Sequence, residues 1–149
     1  MQVKQVLPEQ APIELLLIAD PNLEKVQGYL AKSLCWVVEE NQQCLGVAAA
    51  LPIAEHTYEL MNIAIAENQQ QKGIGALLLK AVIADIKALG ATELELGTGT
   101  FGHQLSFYQR HGFRVDRIEK NFFLDNYPEP IWENGIQHQD MLRLVLRFN

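Results

Sequence analysis

Apolar and polar positions along the first half of the chain predict short strands with two helices between them. Pro21 cannot continue a helix and Asn22 can cap the next one, so the dipeptide separates the two helices. The predicted helices are residues 9–18 and 22–32. The predicted strands are residues 1–6, 34–39, 43–51 and 58–66, and the second and third of these form a β-hairpin around a polar turn.

The second half begins with a polar loop, after which the apolar spacing becomes helical. Residues from Ile74 onward recur at three- and four-residue intervals, and Gly90 stops this helix as a left-handed residue would. The remaining predictions are strands at 93–96, 113–123 and 140–148 and a short helix at 104–111. No linker or repeat interrupts the chain, so we expect one domain spanning residues 1–149.

This order of elements predicts an α/β domain of layered, α+β type. Strands joined through helices favour parallel pairing, and hairpins give antiparallel pairing, so the sheet should be mixed.

Composition narrows the function classes. The chain has 149 residues, 48% of them hydrophobic, and a net charge of −6 without a basic run, which argues against nucleic-acid binding. No signal peptide and no apolar stretch of membrane-spanning length is present, so we expect no membrane association and a cytoplasmic protein. The hairpin register should keep Cys35 and Cys44 apart as reduced thiols. The acidic excess slightly favours a cationic acceptor.

The strongest local signal is the segment Gln70-Gln71-Lys72-Gly73-Ile74-Gly75 between a strand and a helix. Glycines let the backbone approach a ligand, and the unpaired N–H groups at the helix start favour an anion such as a pyrophosphate. The segment lacks the Gly-Lys-Ser/Thr of a P-loop, and Leu78 stands where a dinucleotide fingerprint needs its third glycine. The alternative is that both glycines only relieve a tight turn.

The segment and its neighbours together resemble the GNAT acetyltransferase superfamily. Gln70, Gly73 and Gly75 fit its signature Gln/Arg-x-x-Gly-x-Gly/Ala, and residues 105–113, Leu-Ser-Phe-Tyr-Gln-Arg-His-Gly-Phe, resemble its second signature. Residues 61–65 look like the fourth strand of the family, whose backbone pairs with the pantetheine arm of CoA. The resemblance implies a mixed, mostly antiparallel sheet flanked by helices, with acetyl-CoA as cosubstrate and no metal. The implied cofactor-binding residues are Ile63, Ala64, Ile65, Gln70, Gln71, Lys72, Gly73, Ile74, Gly75, Ala76, Thr98 and Tyr108.

The resemblance also implies N-acetylation of an amine by direct attack, with two catalytic residues. Tyr108 matches the tyrosine near the thioester sulfur and stays protonated at neutral pH, so it can act as an acid. Glu59 stands eleven residues before Gln70, where one branch of the family has its base. Strict alternation would place Glu59 on one strand face with Met61, Ile63 and Ile65. The alternatives are a packing role for Tyr108 and a solvent-exposed or water-orienting role for Glu59.

Other features leave the acceptor undefined. Phe101 stands where many relatives have an asparagine that contacts pantetheine, so Thr98, Thr100 or backbone groups would take over that contact. The four histidines, His56, His103, His111 and His138, lack metal-ligand spacing and are interpreted as surface or hydrogen-bonding residues. Residues 121–135 mix aromatic and acidic side chains, which suits an amine acceptor or an ordinary loop equally.

Two other functions stay open at this point: a non-catalytic acyl-CoA-binding or sensing module of the same fold, and an unrelated α/β nucleotide binder. A homodimer also stays open.

Overall fold

A computed structural model describes all 149 residues, which divide into two compact units, Met1–Thr92 and Glu93–Asn149. The first unit contains β1 (Gln2–Val6), α1 (Ile13–Ala19), α2 (Leu23–Leu30), β2 (Leu34–Glu40), β3 (Gln43–Ala54), β4 (Thr57–Ile65) and α3 (Ile74–Ala88). The second contains β5 (Glu93–Gly99), α4 (His103–Arg110), β6 (Arg114–Glu119), α5 (Phe122–Asn126), β7 (Trp132–Glu133), β8 (Ile136–Gln137) and β9 (Met141–Arg147).

In the first unit, strands β1 to β4 pair in chain order, and every pair is antiparallel. Helices α1 and α2 bury one face, where Leu16 and Val26 pack with Val47 and Ala49. Helix α3 covers the other face: the Trp36 indole Nε1 donates to Asp85 at 2.8 Å. The expectation that the two cysteines stay apart is confirmed, because Cys35 lies opposite Ala49, Cys44 lies opposite Glu39, and both are free thiols.

A β-bulge in β4 changes the predicted strand faces. Ala49 pairs with Asn62 while the next residue, Ala50, pairs with Leu60, so Met61 is an extra residue on β4. Since paired residues share a face and β3 alternates regularly, Leu51 and its partner Glu59 lie on the face of Ala49 and Asn62. That is the face under α1 and α2.

The prediction that Glu59 shares a face with Ile63 and Ile65 is therefore wrong. Ile63 pairs with Ala48 and Ile65 with Gly46, on the α3 face. The extra residue reverses the alternation between the two halves of β4.

In the second unit, β9 lies between β5 and β6 and pairs antiparallel with both. Leu94, Leu96 and Leu144 are fully or nearly fully buried on one face. On the other face the Arg143 guanidinium donates to Glu95 at 2.8 Å.

The predicted strand at 113–123 is too long. It ends at Glu119, Asn121 adopts φ 62°, and Phe122 begins the short helix α5. The predicted helix stop at Gly90 is confirmed by its φ of 89°. The expected mostly antiparallel sheet with flanking helices is confirmed, and no helix is long and apolar enough to cross a bilayer.

Candidate functional site

The glycine loop leads from the end of β4 into α3 through two left-handed residues. Gln71 has φ 65° and Gly73 has φ 80° with ψ 4°, and Gly73 caps α3 without any side-chain hydrogen bond. The first helical bond runs from Leu77 N to the Gly73 carbonyl, so the amides of Ile74, Gly75 and Ala76 have no partner within the helix. No acidic residue lies in the first turn to offset the positive end of the helix dipole.

Side chains hold this loop in place. The Gln70 Nε2 donates to the Ile65 carbonyl at 3.2 Å and ties the loop back to the end of β4. The Ile74 side chain is buried, whereas Gln71, Lys72 and Gly73 are exposed. The loop therefore presents backbone amides and one lysine to solvent, which is an arrangement suited to binding phosphate groups.

The implied pantetheine-contacting residues lie immediately before the loop. Ile63, Ala64 and Ile65 pair with Ala48, Val47 and Gly46 of β3, and within this unit β4 pairs with β3 alone. One edge of β4 is thus paired with β3 along these three residues.

Glu59 lies at the other end of β4, beyond the bulge, and is half-buried. Its neighbours on that face are Leu51 across the strand pair and Met61 on β4, which both pack against the core beneath α1 and α2. Glu59 therefore lies on the side of the strand that faces α1 and α2, whereas strict alternation predicts the side that faces α3.

Asn62, which sequence reasoning did not single out, connects this strand to both helices. Its buried Nδ2 donates to the Leu16 carbonyl of α1 and to the Tyr29 hydroxyl of α2, each at 2.9 Å. Burial raises the pKa of Tyr29 to about 12, with a smaller opposing effect from the Asn62 hydrogen bond. The available sequence signal was a lone polar residue within an apolar strand.

Tyr108 is the buried residue of α4 in the second unit, only 7% exposed. Its ring meets Phe113 edge-on at 5.9 Å and Phe107 at 5.3 Å. Burial raises the pKa of the Tyr108 phenol far above its ordinary value, so the phenol is fully protonated at neutral pH. Thr98 is also buried, on β5 opposite Leu142.

The segment between β5 and α4 contacts a histidine–carboxylate pair. His138 Nε2 lies 2.9 Å from Glu133 Oε1, and the imidazole stacks on Phe101 with centroids 4.2 Å apart. His138 is 8% exposed, so it is a hydrogen-bonding residue but not a surface one. The Asn134-Gly135 turn of the β7–β8 hairpin was the sequence signal that could have located Glu133 and its partner.

The remaining histidines do not join this pair into a metal site. His103 is 86% exposed at its side chain and 3.9 Å from Glu133, and His111 Nδ1 lies 2.9 Å from the Phe107 carbonyl. No group of three potential ligands is arranged to hold a metal ion.

Comparison with known proteins gives consistent matches. The family model described as an acetyltransferase (GNAT) domain matches residues 31–115. The uncharacterised N-acetyltransferase YvbK of Bacillus subtilis is 44% identical over 134 residues, which is 89% of this chain and 86% of that protein.

Solved structures match over almost the whole chain. A GNAT family acetyltransferase from Elizabethkingia anophelis, with acetyl-CoA bound, is 41% identical with a TM-score of 0.94, over 99% of this chain and 97% of that one. An IAA acetyltransferase from Bacillus cereus is 38% identical with a TM-score of 0.94, over 99% of both chains.

Proposed function

The chain belongs to the GNAT family of acetyltransferases, and from this premise we propose that it transfers the acetyl group of acetyl-CoA to a primary amine. The amine attacks the thioester directly, and residues 1–149 act as one catalytic domain. The observation that carries the proposal is the loop at Gly73, whose left-handed conformation leads into three amides without helical partners.

The loop fits a pyrophosphate on chemical grounds. The amides of Ile74, Gly75 and Ala76 supply donors, and the first turn of α3 has no carboxylate that would repel an anion. Lys72 adds an exposed positive charge beside them. The related Elizabethkingia structure holds acetyl-CoA, which supports the same cosubstrate for this chain.

We assign Tyr108 the role of interacting with the thioester sulfur as that sulfur leaves the acetyl group. As the nitrogen–carbon bond forms, the carbon–sulfur bond breaks and a thiolate leaves. Thiols of this type have a pKa near 8.5, below the ordinary phenol value of about 10, and burial raises the pKa of Tyr108 further. Complete proton transfer from the phenol to the thiolate is therefore unfavourable.

The role that fits this pKa order is hydrogen-bond donation. Tyr108 stabilises negative charge on the leaving sulfur, and the proton that the thiol finally carries comes from the ammonium formed during attack. This differs from a full acid role and still depends on the hydroxyl.

Glu59 is the candidate group that receives the proton which the substrate ammonium must lose before its amine can attack, whereas the proton lost after attack goes to the thiolate. Its half-buried position opposite Leu51, on the face of Asn62, supports this role, because the carboxylate is partly shielded from bulk water there. Water-mediated deprotonation, with Glu59 orienting the water, is the alternative for the same position.

The test is thiol release from acetyl-CoA with a panel of primary amines, secondary amines and alcohols, followed by mass spectrometry of the products. We expect a hydroxylamine-stable amide from a primary amine. Release that requires alcohols would refute N-acetylation. CoA binding without release by any acceptor would favour the non-catalytic acyl-CoA-binding module instead.

A further inference from the structure

The Glu133–His138 pair closes the β7–β8 hairpin on itself. His138 N donates to the Ile131 carbonyl at 2.8 Å, while its side chain reaches Glu133 at 2.9 Å. The His138 side chain is 9% exposed and that of Glu133 is 32% exposed. The tautomer with its proton on Nε2 donates to the carboxylate and leaves only an acceptor at the buried Nδ1, which has no partner.

The same pair lies against the segment that joins β5 to α4. A Cβ on Gly99 would collide with the His138 imidazole, and a Cβ on Gly102 would lie 2.6 Å from Glu133 Oε2. Between these glycines, the ring of Phe101 is nearly parallel to the imidazole, at an angle of 7°. Three of the four residues from 99 to 102 therefore touch the pair.

Helix α4 needs external support at this end. It has eight residues, and its N-cap Gly102 offers no side-chain hydrogen bond. Isolated helices of this length are marginal in water. Gly102 has φ 105° and ψ 169°, a conformation essentially restricted to glycine, and glycine is also the least restrained residue when contacts are removed.

We propose that Glu133 and His138 are positioning residues that hold the start of α4 and thereby keep Tyr108 in its working place. This inference rests on the proposed acetyl transfer, because Tyr108 is the helix residue assigned to the leaving sulfur. Three contacts hold the start of α4: the Glu133–His138 hydrogen bond, the stacking of His138 on Phe101 and the contact of Glu133 with Gly102. The charge of Glu133 is secondary to these contacts.

The experiment compares variants of similar shape. Glu133→Leu removes the acceptor, whereas Glu133→Gln keeps a carbonyl oxygen that the imidazole can still donate to. Gln139→Leu is the matched control, since its exposed side chain precedes β9 in the same segment. Each variant is made in the wild type and in a Tyr108→Phe background. Steady-state rates, CoA affinity by calorimetry and amide hydrogen exchange of peptides from α4 are measured.

We expect Glu133→Leu to lower kcat between about tenfold and a hundredfold, as a misplaced catalytic group does. CoA affinity should stay within about twofold, and α4 should exchange faster. Glu133→Gln should restore most of the rate. In the Tyr108→Phe background, Glu133→Leu should cost less than about a further twofold, because residues that act through one another are not additive.

Two results would overturn the proposal. One is an equal loss of rate in both backgrounds with unchanged exchange of α4. The other is an effect confined to the KM of the amine and equally large in Glu133→Gln, which would make Glu133 a charge that binds the acceptor. If the wild type shows no transfer at all, the proposed function fails, yet the exchange of α4 still tests the support by Glu133 and His138.

Discussion

Replacing Gly73 by alanine tests whether the left-handed turn at the start of α3 matters for binding CoA. The backbone has φ 80° and ψ 4° there, and a Cβ on Gly73 would meet no atom within 4 Å. Sterically the methyl group has room, so the only penalty in the free protein is conformational. Holding an L-residue in this region costs about 1–2 kcal/mol.

That penalty can appear in two places. If the alanine variant keeps the left-handed conformation, the free energy of unfolding falls by about 1–2 kcal/mol, and Tm falls by about 2–4 °C for each kcal/mol in a chain of this size. If the loop relaxes to negative φ, stability is regained but CoA must restore the turn on binding. The dissociation constant then rises by roughly fivefold to thirtyfold. The loss in free energy of unfolding and the loss in CoA-binding free energy should together equal the single conformational penalty of about 1–2 kcal/mol.

The assay measures CoA binding by calorimetry and Tm without ligand for Gly73→Ala and Gly73→Asn. Asparagine tolerates the left-handed region, so it should recover a large part of both losses. Wild-type binding and Tm in Gly73→Ala would refute the conformational argument. A loss in affinity of more than about a hundredfold would exceed the penalty and show that the ligand touches the Gly73 Cα itself.

Three further predictions concern single groups. Tyr108→Phe keeps the ring and deletes the hydroxyl, so kcat should fall at least roughly tenfold with CoA affinity little changed; unchanged turnover would return Tyr108 to a packing role. Glu59→Gln keeps the shape of the side chain but cannot accept a proton, so kcat should fall with every amine tested; if the wild-type rate persists, water or another group removes the proton. Tyr29→Phe should destabilise the fold by about 1–3 kcal/mol at pH 8, because a buried amide N–H of Asn62 loses its acceptor. Burial raises the pKa of Tyr29 from about 10 to about 12 in the folded protein. The contribution of Tyr29 to the free energy of unfolding is therefore complete below pH 10 and is lost as pH rises to 12. Urea unfolding should show this loss in the wild type and not in Tyr29→Phe.

The glycine loop and the helix that follows it could be located from local sequence signals alone. Gly73 at the start of α3 and Gly90 at its end both have a positive φ. Glycine adopts a positive φ readily because it has no side chain. The helical spacing that follows Ile74 reflects one buried face, which the structure confirms through Leu78, Val82 and Ile86. Such features depend on neighbours within one or two turns, so the sequence alone reveals them.

The Glu133–His138 pair depends instead on contacts distant in sequence. Phe101 and Gly99 are more than thirty residues from His138, and no periodicity links them. The collision that a Cβ at Gly99 would cause explains why a glycine stands there, but only after the imidazole is placed. The same holds for Asn62, whose partners lie on α1 and α2.

The bulge at Met61 escaped prediction because β4 is covered by helices on both faces. A strand with one wet face would show its bulge as a break in polar and apolar alternation, whereas residues 60–65 are mostly apolar on either side. Only the register with β3 reveals the extra residue.

The bulge also decides where a carboxylate on β4 can act. Without Met61 as an extra residue, Glu59 would pair with Pro52 and lie on the α3 face with Ile63 and Ile65. A shift of one residue reverses every side chain beyond it, so the bulge moves Glu59 to the face of Asn62. The side chains of Ile63 and Ile65 and the carboxylate of Glu59 thus belong to one strand but lie on opposite faces. A base at Glu59 therefore requires the acceptor amine to be approached from the side covered by α1 and α2.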